Sequence, residues 1–288
     1  MSVKSIWNDL AGASVGYRGK EFRTRVIEAG EGEPLILMHG NGGHAEAYSR
    51  NIMRLSKHFH VIAIDLLWHG FSTGRPFTTE MVPTYAEQVI DLIDSIGEDT
   101  AHLEGESLGG WVSMWTALHH SERVGKIILN TTAGAAVEDG PVTPERRASG
   151  NTLRERSLAA ISDPTRETVR KRLEWLMAKP DRVTEELVTL RQFFYQRPET
   201  REGLTHVMQN SFRHDSPHRI TPQKLSQIRQ PALVLWSDRN PGTGPEYGRQ
   251  LAGLIPNAQY HCIADAGHWP QWEKPEEHDA VVTEFLQT

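Results

Sequence analysis

The sequence contains little cysteine and no long hydrophobic stretch. Its 288 residues include a single cysteine, Cys262, so no disulfide can form within the chain. No apolar run approaches the roughly 18 residues that a membrane span requires, and the first residues lack the basic start and apolar segment of a secretion signal. These absences predict a cytoplasmic protein that does not insert into a membrane.

Clusters of basic residues are also absent. The net charge is −6, and the 31 Lys and Arg residues are dispersed. Because nucleic-acid binding requires a basic surface, we expect neither nucleic acid nor an anionic membrane as the main partner. A small-molecule substrate is expected instead, and the oligomeric state, including a homodimer, stays open.

Short apolar runs alternate with helical patterns along most of the chain. Helical stretches such as 84–97 and 108–120 separate most of these runs, and this alternation is typical of a mostly parallel sheet covered on both faces. The expected fold class is therefore α/β. The predicted strands are 34–40, 61–70, 100–105, 126–132, 231–237 and 258–267.

The pattern changes between about residues 143 and 220. Strand-like runs disappear, and apolar residues recur at helical spacing, as in Leu173 with Leu176 and Leu187 with Phe194. We expect a helical lid over 134–222, inserted into a core formed by 1–133 and 223–288.

One serine stands between glycines, in Gly105-Glu106-Ser107-Leu108-Gly109. A predicted strand precedes it and a predicted helix follows, which is the setting of a nucleophile elbow. The hydroxyl of Ser107 would then stand at the carboxyl edge of the sheet, where open α/β sheets bind ligands. We favour this interpretation over an ordinary serine in a glycine-rich loop.

Two further segments complete a catalytic arrangement. In "LMHGNGGHAE" (37–46), the backbone N–H groups of Asn41 and Gly42 are expected to form an oxyanion hole with that of Leu108. His268 follows the last predicted strand and satisfies the chain order serine, acid, histidine. Its neutral imidazole would take the serine proton and return it to the leaving group.

Together these segments resemble the α/β-hydrolase superfamily, and most closely the meta-cleavage-product hydrolases. Those enzymes split a carbon–carbon bond in vinylogous 1,5-diketones made by ring-opening of catechols. The resemblance is carried by "HGNGG" with "SRN" (49–51), "GESLGG", "VTEELVTLRQ" and "GHWPQWEKPEEHDAVVTEFL". It implies a serine nucleophile, an acyl-enzyme and no metal or organic cofactor. It also implies that Arg191 holds a substrate carboxylate and that Trp269 lines the pocket.

The acid of the triad departs from the family pattern. Asn240 occupies the position of the family's aspartate, and an asparagine cannot neutralise an imidazolium. We expect Asp238, two residues earlier in the same loop, to serve as the acid. The alternatives are Asn240 holding the histidine as a neutral partner, Glu138 or Asp139 after the strand at 126–132, and Asp265.

Two pocket positions also depart from the family. Glu106 replaces an asparagine, so it either meets a hydroxyl or cationic group of the substrate or points away from the site. His44 lies where the family has Gly-Pro-Gly. For His44 we favour the surface over the cavity.

The leading functional hypothesis is a serine hydrolase that cleaves a carbon–carbon bond of a 2-hydroxy-6-oxo-dienoate. An esterase or lactonase needs the same parts and is the first alternative. A cofactor-free dioxygenase, or a ligand-binding protein that has lost turnover, is the second.

Overall fold

Eight strands form one sheet in the computed structural model, which describes residues 5–138, 144–213 and 215–288. The strands are β1 (Ser14–Arg18), β2 (Thr24–Ala29), β3 (Pro34–Met38), β4 (His60–Ile64), β5 (Ala101–Glu106), β6 (Val124–Asn130), β7 (Ala232–Ser237) and β8 (Ala258–Ile263). Their spatial order is β1-β2-β4-β3-β5-β6-β7-β8. β1 and β2 pair as an antiparallel hairpin and β2 runs antiparallel to β4, whereas every later pairing is parallel. The predicted α/β fold is therefore confirmed.

Helices connect the strands and cover the sheet. They are α1 (Ile6–Asp9), α2 (Ser49–Leu55), α3 (Met81–Ser95), α4 (Leu108–His119), α5 (Pro144–Ser162), α6 (Arg166–Leu176), α7 (Glu185–Gln196), α8 (Pro198–Ser211), α9 (Pro222–Leu225), α10 (Pro245–Leu254), α11 (Pro270–Glu273) and α12 (Pro275–Gln287). No helix within the described ranges is long and apolar enough to cross a membrane.

The central strands are buried on both faces, which explains their continuous apolar sequences. All five residues of β3 are buried. Ile36 and Met38 pack into one hydrophobic core, whereas Leu35 and Leu37 pack into the core on the opposite face. This division follows from the two-residue period of a strand, which sends alternate side chains to opposite faces.

Two predicted strands are shorter in the structure than the apolar runs suggested. β4 ends at Ile64, and the buried Asp65 then accepts hydrogen bonds from the N–H groups of Ala45 and Phe71 at 2.7 and 2.8 Å. These bonds hold the turn that follows. β8 likewise ends at Ile263, so the segment leading to His268 is a loop.

Helices α5 to α8 lie between β6 and β7 in the chain, in the region expected to form a lid. Threonine side chains cap two of them, because Thr165 accepts a hydrogen bond from the N–H of Thr168 and Thr184 from that of Leu187. The helical spacing identified in the sequence buries Leu173, Leu176, Leu187 and Phe194. The domain boundaries stay a prediction.

An ion pair is buried between the sheet and α12. Glu104 on β5 lies 2.8 Å from Nε2 of His278, and both side chains are fully buried. Burial by itself lowers the pKa of His278, but the carboxylates of Glu104 and Asp279 outweigh it and raise this pKa to about 10. Asn130 contributes a further hydrogen bond from its amide to Gln271 at 3.1 Å.

This pair predicts a loss of stability at alkaline pH. A histidine in the unfolded chain has a pKa of about 6.5. Between about pH 6.5 and pH 10 the folded chain therefore binds one more proton than the unfolded chain. The stabilisation should be complete below about pH 6.5 and disappear as the pH rises through about 10, with a slope of at most about 1.4 kcal/mol per pH unit. Urea unfolding at pH 7, 8 and 9 measures it. The variant Glu104→Gln/His278→Gln should show a shallower slope, and equal slopes would contradict the assignment.

Candidate active site

Ser107 stands on a strained turn between β5 and α4. Its φ is +52° and its ψ is −109°, in a region that residues with a side chain rarely occupy. A Cβ at Gly105 would overlap the backbone of Gly109, and a Cβ at Gly109 would overlap the carbonyl of Met38. Glycine is therefore required on both sides of the serine by close backbone approach, and the pattern has the geometry of a nucleophile elbow.

Ser107 opens into a cavity of about 220 Å³ that His268 also lines. The two residues are 161 positions apart in the chain, and the parallel sheet brings them to the same carboxyl edge. Lid residues close the other side of this cavity, including Leu153, Arg172 and Trp175. The cavity thus combines a nucleophile and a base candidate from the core with a wall from the inserted helices.

Two of the three residues expected to form the oxyanion hole line the same cavity. Leu108 is the first residue of α4, and the first N–H groups of a helix have no partner inside the helix. Asn41 also lines the cavity, and its side-chain oxygen accepts a hydrogen bond from the hydroxyl of Ser211 at 2.9 Å. Gly42 lies behind it with φ +71°, against the hydroxyl of Tyr195. Asn41 and Leu108 therefore both line the cavity, whereas Gly42 does not.

The side chain that meets the His268 ring is Asn240, whose Oδ1 lies 2.7 Å from Nδ1. The amide of Asn240 is oriented by its own Nδ2, which donates to the carbonyl and hydroxyl oxygens of Thr243, both at 2.9 Å. Oδ1 must then accept, so Nδ1 of His268 carries a proton and, in a neutral ring, Nε2 carries the lone pair.

The expectation that Asp238 meets His268 is wrong for this structure. The backbone of Asp238 donates to Ile263 at 3.1 Å, which continues the edge of β7 and turns the side chain to the surface. Its carboxylate accepts the N–H of Ala266 at 3.2 Å. Asp238 precedes Asn240 by two residues in this loop, and its carboxylate contacts Ala266 instead of His268.

The other acids considered from the sequence are also placed elsewhere or lie outside the description. Asp265 forms ion pairs with Lys179 and Arg182, and hydrogen bonds from these two cations lower its pKa. Glu138 is exposed, and Asp139 lies outside the described residues.

Glu106 turns into the site, where the sequence left two orientations open. Its Oε1 lies 3.1 Å from Nε2 of His268, and its Oε2 accepts the backbone N–H of Gly40 at 2.6 Å. Only 1% of its surface is exposed. A carboxylate therefore contacts Nε2, the nitrogen expected to receive the proton of Ser107.

Arg191 and Trp269 are adjacent, but only Trp269 lines the cavity. The Nη1 of Arg191 donates to the carbonyl of Gly42, and its guanidinium lies 5.3 Å from the centre of the Trp269 ring. Arg191 thus holds the loop that carries Asn41 and Gly42, a position that differs from the direct substrate contact expected from the sequence.

His44 is fully buried, so the surface position favoured from the sequence is wrong. Its Nδ1 lies 3.0 Å from the carboxylate of Glu46, and its ring packs against Phe194. Burial lowers the pKa of His44 to about 4, which keeps the ring neutral at physiological pH. It does not line the cavity.

Arg172 is a cavity residue that sequence reasoning missed. It lies on α6 with 7% of its surface exposed, and its Nε donates to the hydroxyl of Ser157 at 2.9 Å. Its Nη1 is buried and has no hydrogen-bond partner among the described residues. The lid sequence is rich in arginine, so nothing in the sequence distinguished this one.

Over the same described ranges, no group of three or more His, Cys, Asp or Glu side chains has the geometry to hold a metal ion.

Comparisons with known proteins agree with this geometry. A family model described as alpha/beta hydrolase fold matches residues 33–275. A 2-hydroxy-6-oxononadienedioate/2-hydroxy-6-oxononatrienedioate hydrolase of Burkholderia vietnamiensis is 30% identical over 275 residues, covering 93% of this chain and 92% of that protein. A 2-hydroxy-6-oxo-6-phenylhexa-2,4-dienoate hydrolase of Comamonas testosteroni is 29% identical over 271 residues, with coverages of 93% and 92%. The solved meta-cleavage product hydrolase from Pseudomonas fluorescens superposes with a TM-score of 0.79 at 26% identity, covering 96% of this chain and 98% of that one.

Substitutions in the loop after β7 should separate the two acid candidates. Asp238→Asn should leave kcat within about two-fold, because its carboxylate does not contact His268. Asn240→Ala should lower kcat by at least about 10-fold, since loss of one hydrogen bond costs about 1 kcal/mol and also releases the ring from its tautomer. Steady-state hydrolysis of an aryl ester measures both. A larger loss in Asp238→Asn than in Asn240→Ala would show that the loop rearranges in solution.

Proposed function

The chain belongs to the α/β hydrolase fold family, and we propose that it is a serine hydrolase that cleaves a carbon–carbon bond in a 2-hydroxy-6-oxo-dienoate. The resemblance to meta-cleavage-product hydrolases seen in the sequence motifs is confirmed by the relatives. The observation that carries the proposal is the shared cavity of Ser107, on its strained turn, and His268 beside two oxyanion amides.

The proposed reaction uses these groups in sequence. The dienol substrate is first converted to its keto form. The Nε2 of His268 then takes the proton of Ser107, whose oxygen bonds to the substrate carbonyl carbon. The N–H groups of Asn41 and Leu108 would stabilise the resulting oxyanion. The carbon–carbon bond breaks with proton return to the leaving carbon, and water hydrolyses the acyl-enzyme.

The substrate carboxylate requires a cation within the cavity. Burial lowers the pKa of Arg172 to about 10, so its guanidinium stays charged at neutral pH. Because its Nη1 has no partner among the described residues, it can donate to a substrate carboxylate without breaking an existing bond. We propose Arg172 as the carboxylate-binding residue and Arg191, held by Gly42, as the alternative.

One observation favours a neutral substrate as the second candidate. The carboxylate of Glu106 lies beside the nucleophile, and it would repel an anionic group placed close to Ser107. A small neutral ester avoids this repulsion. The dienoate avoids it only if its carboxylate lies towards Arg172, at the lid wall of the cavity.

We propose that the protein acts in the cytoplasm. Its one cysteine, Cys262, is unpaired in the structure, which suits a reducing compartment.

The nucleophile is tested by labelling and by substrate choice. A fluorophosphonate probe should modify Ser107 in the wild-type chain, and Ser107→Ala should abolish labelling and lower kcat by about 10³-fold or more. Loss of the yellow colour of a ring-cleavage dienoate, followed by absorbance, measures carbon–carbon cleavage, and aryl ester hydrolysis measures the alternative. Absence of labelling in a folded protein would instead favour a cofactor-free dioxygenase or a ligand-binding protein.

The carboxylate site is tested with Arg172→Met. Loss of a charge-assisted hydrogen bond of about 1.5–3 kcal/mol should raise KM for a dienoate by about 10- to 100-fold. KM for a neutral aryl ester should change by less than about three-fold. The matched control is Arg191→Met, which should lower kcat for both substrates because it releases the Gly42 carbonyl. If Arg191→Met selectively impairs the dienoate and Arg172→Met does not, the roles are reversed.

A further inference from the structure

No carboxylate contacts Nδ1 of His268 among the described residues. When a histidine takes the serine proton it becomes an imidazolium, which a carboxylate at Nδ1 stabilises in a conventional triad. Here the partner at Nδ1 is the neutral amide of Asn240. The hydrogen bond orients the ring but supplies no negative charge.

The opposite nitrogen faces a carboxylate. Because the Thr243 contacts fix the amide of Asn240 and place a proton on Nδ1, a neutral His268 has only a lone pair at Nε2. Oε1 of Glu106, 3.1 Å away, is an acceptor as well when ionised. Two acceptors at this distance repel each other until a proton lies between them, and the proton that Ser107 releases would fill that position.

We infer that Glu106 supplies the negative charge that Asn240 lacks, and that it pairs with the imidazolium at Nε2. The inference rests on the proposed roles of Ser107 and His268 in acyl transfer. Glu106 is a positioning residue in this scheme, because it acts on the substrate through His268. Its second oxygen is anchored to the N–H of Gly40, so the carboxylate is held in place without contributing to the oxyanion hole.

The proton balance of the step is simple. The O–H bond of Ser107 breaks as its Oγ bonds to the carbonyl carbon, and the proton moves to Nε2 of His268. The imidazolium that results keeps Nδ1–H on Asn240 and gains the Glu106 carboxylate as its counter-ion. It then gives the same proton to the leaving group, so Glu106 ends each half-reaction with its initial charge.

Burial makes this charge effective. Glu106 is 1% exposed, and water can screen it little from the ring. The nearby cation on α6, Arg172, interacts electrostatically with Glu106 and offsets part of the cost of burying a carboxylate. Water would screen an exposed carboxylate such as Asp238, so it would stabilise the imidazolium less.

Relocating the charge tests the inference. Glu106→Gln keeps the shape and can still accept the N–H of Gly40, but it removes the charge, and it should lower both kcat and the rate of Ser107 labelling by a fluorophosphonate by about 10²-fold or more. With a neutral aryl ester as the substrate, KM should change by less than about three-fold. Adding Asn240→Asp moves a carboxylate to Nδ1, and Glu106→Gln/Asn240→Asp should recover activity to within about 10-fold of the wild type.

The outcomes are distinct from those that test the substrate. If Glu106→Gln labels at the wild-type rate, or if the folded double variant labels no faster than Glu106→Gln, the inference is overturned. Thermal unfolding of each variant checks that the fold is intact. If the wild type labels normally but does not cleave a dienoate, the proposed substrate fails while the role of Glu106 still stands on the labelling rates. If the wild type does not label at all, both proposals fail.

Discussion

The site depends on the close packing of backbone at residue 107. The chain reverses there from β5 into α4 with a positive φ, and the neighbouring glycines leave no space between β5, α4 and β3 for a Cβ. Strain of this kind costs on the order of 1–3 kcal/mol and persists because the surrounding sheet and helix enforce it. It places Ser107 at the carboxyl end of β5, and both Ser107 and Leu108 line the cavity.

Two carboxylate–histidine contacts lie close to that turn. Glu106 and His268 lie on the cavity side, whereas Glu104 and His278 lie below it between β5 and α12. Both carboxylates come from the same strand, two residues apart, and project from the same face. Because a lone buried charge is costly, loss of either Glu104 or His278 should destabilise the strand that carries Glu106.

The inserted helices contribute chemistry as well as cover. Arg172 brings a buried cation to the wall opposite Ser107, and Arg191 fixes the Gly42 carbonyl from the neighbouring helix. The cavity therefore has a carboxylate at the nucleophile and a guanidinium at the lid. This separation of charge would orient an anionic substrate with its carboxylate away from Glu106.

Sequence alone determined the parts of the protein that depend on local pattern. Apolar runs of strand length fixed the parallel sheet, and glycine spacing around Ser107 identified the elbow, because backbone sterics act between residues that are close in the chain. The position of His268 after the last strand followed from chain order. Only the tertiary structure decided which side chain meets each nitrogen of that ring. Asn240 rather than Asp238 faces Nδ1, Glu106 faces Nε2, and Arg172 rather than Arg191 lines the cavity. These choices depend on the direction in which a loop or helix presents a side chain across distances of tens to hundreds of residues, and neither residue type nor spacing encodes that direction.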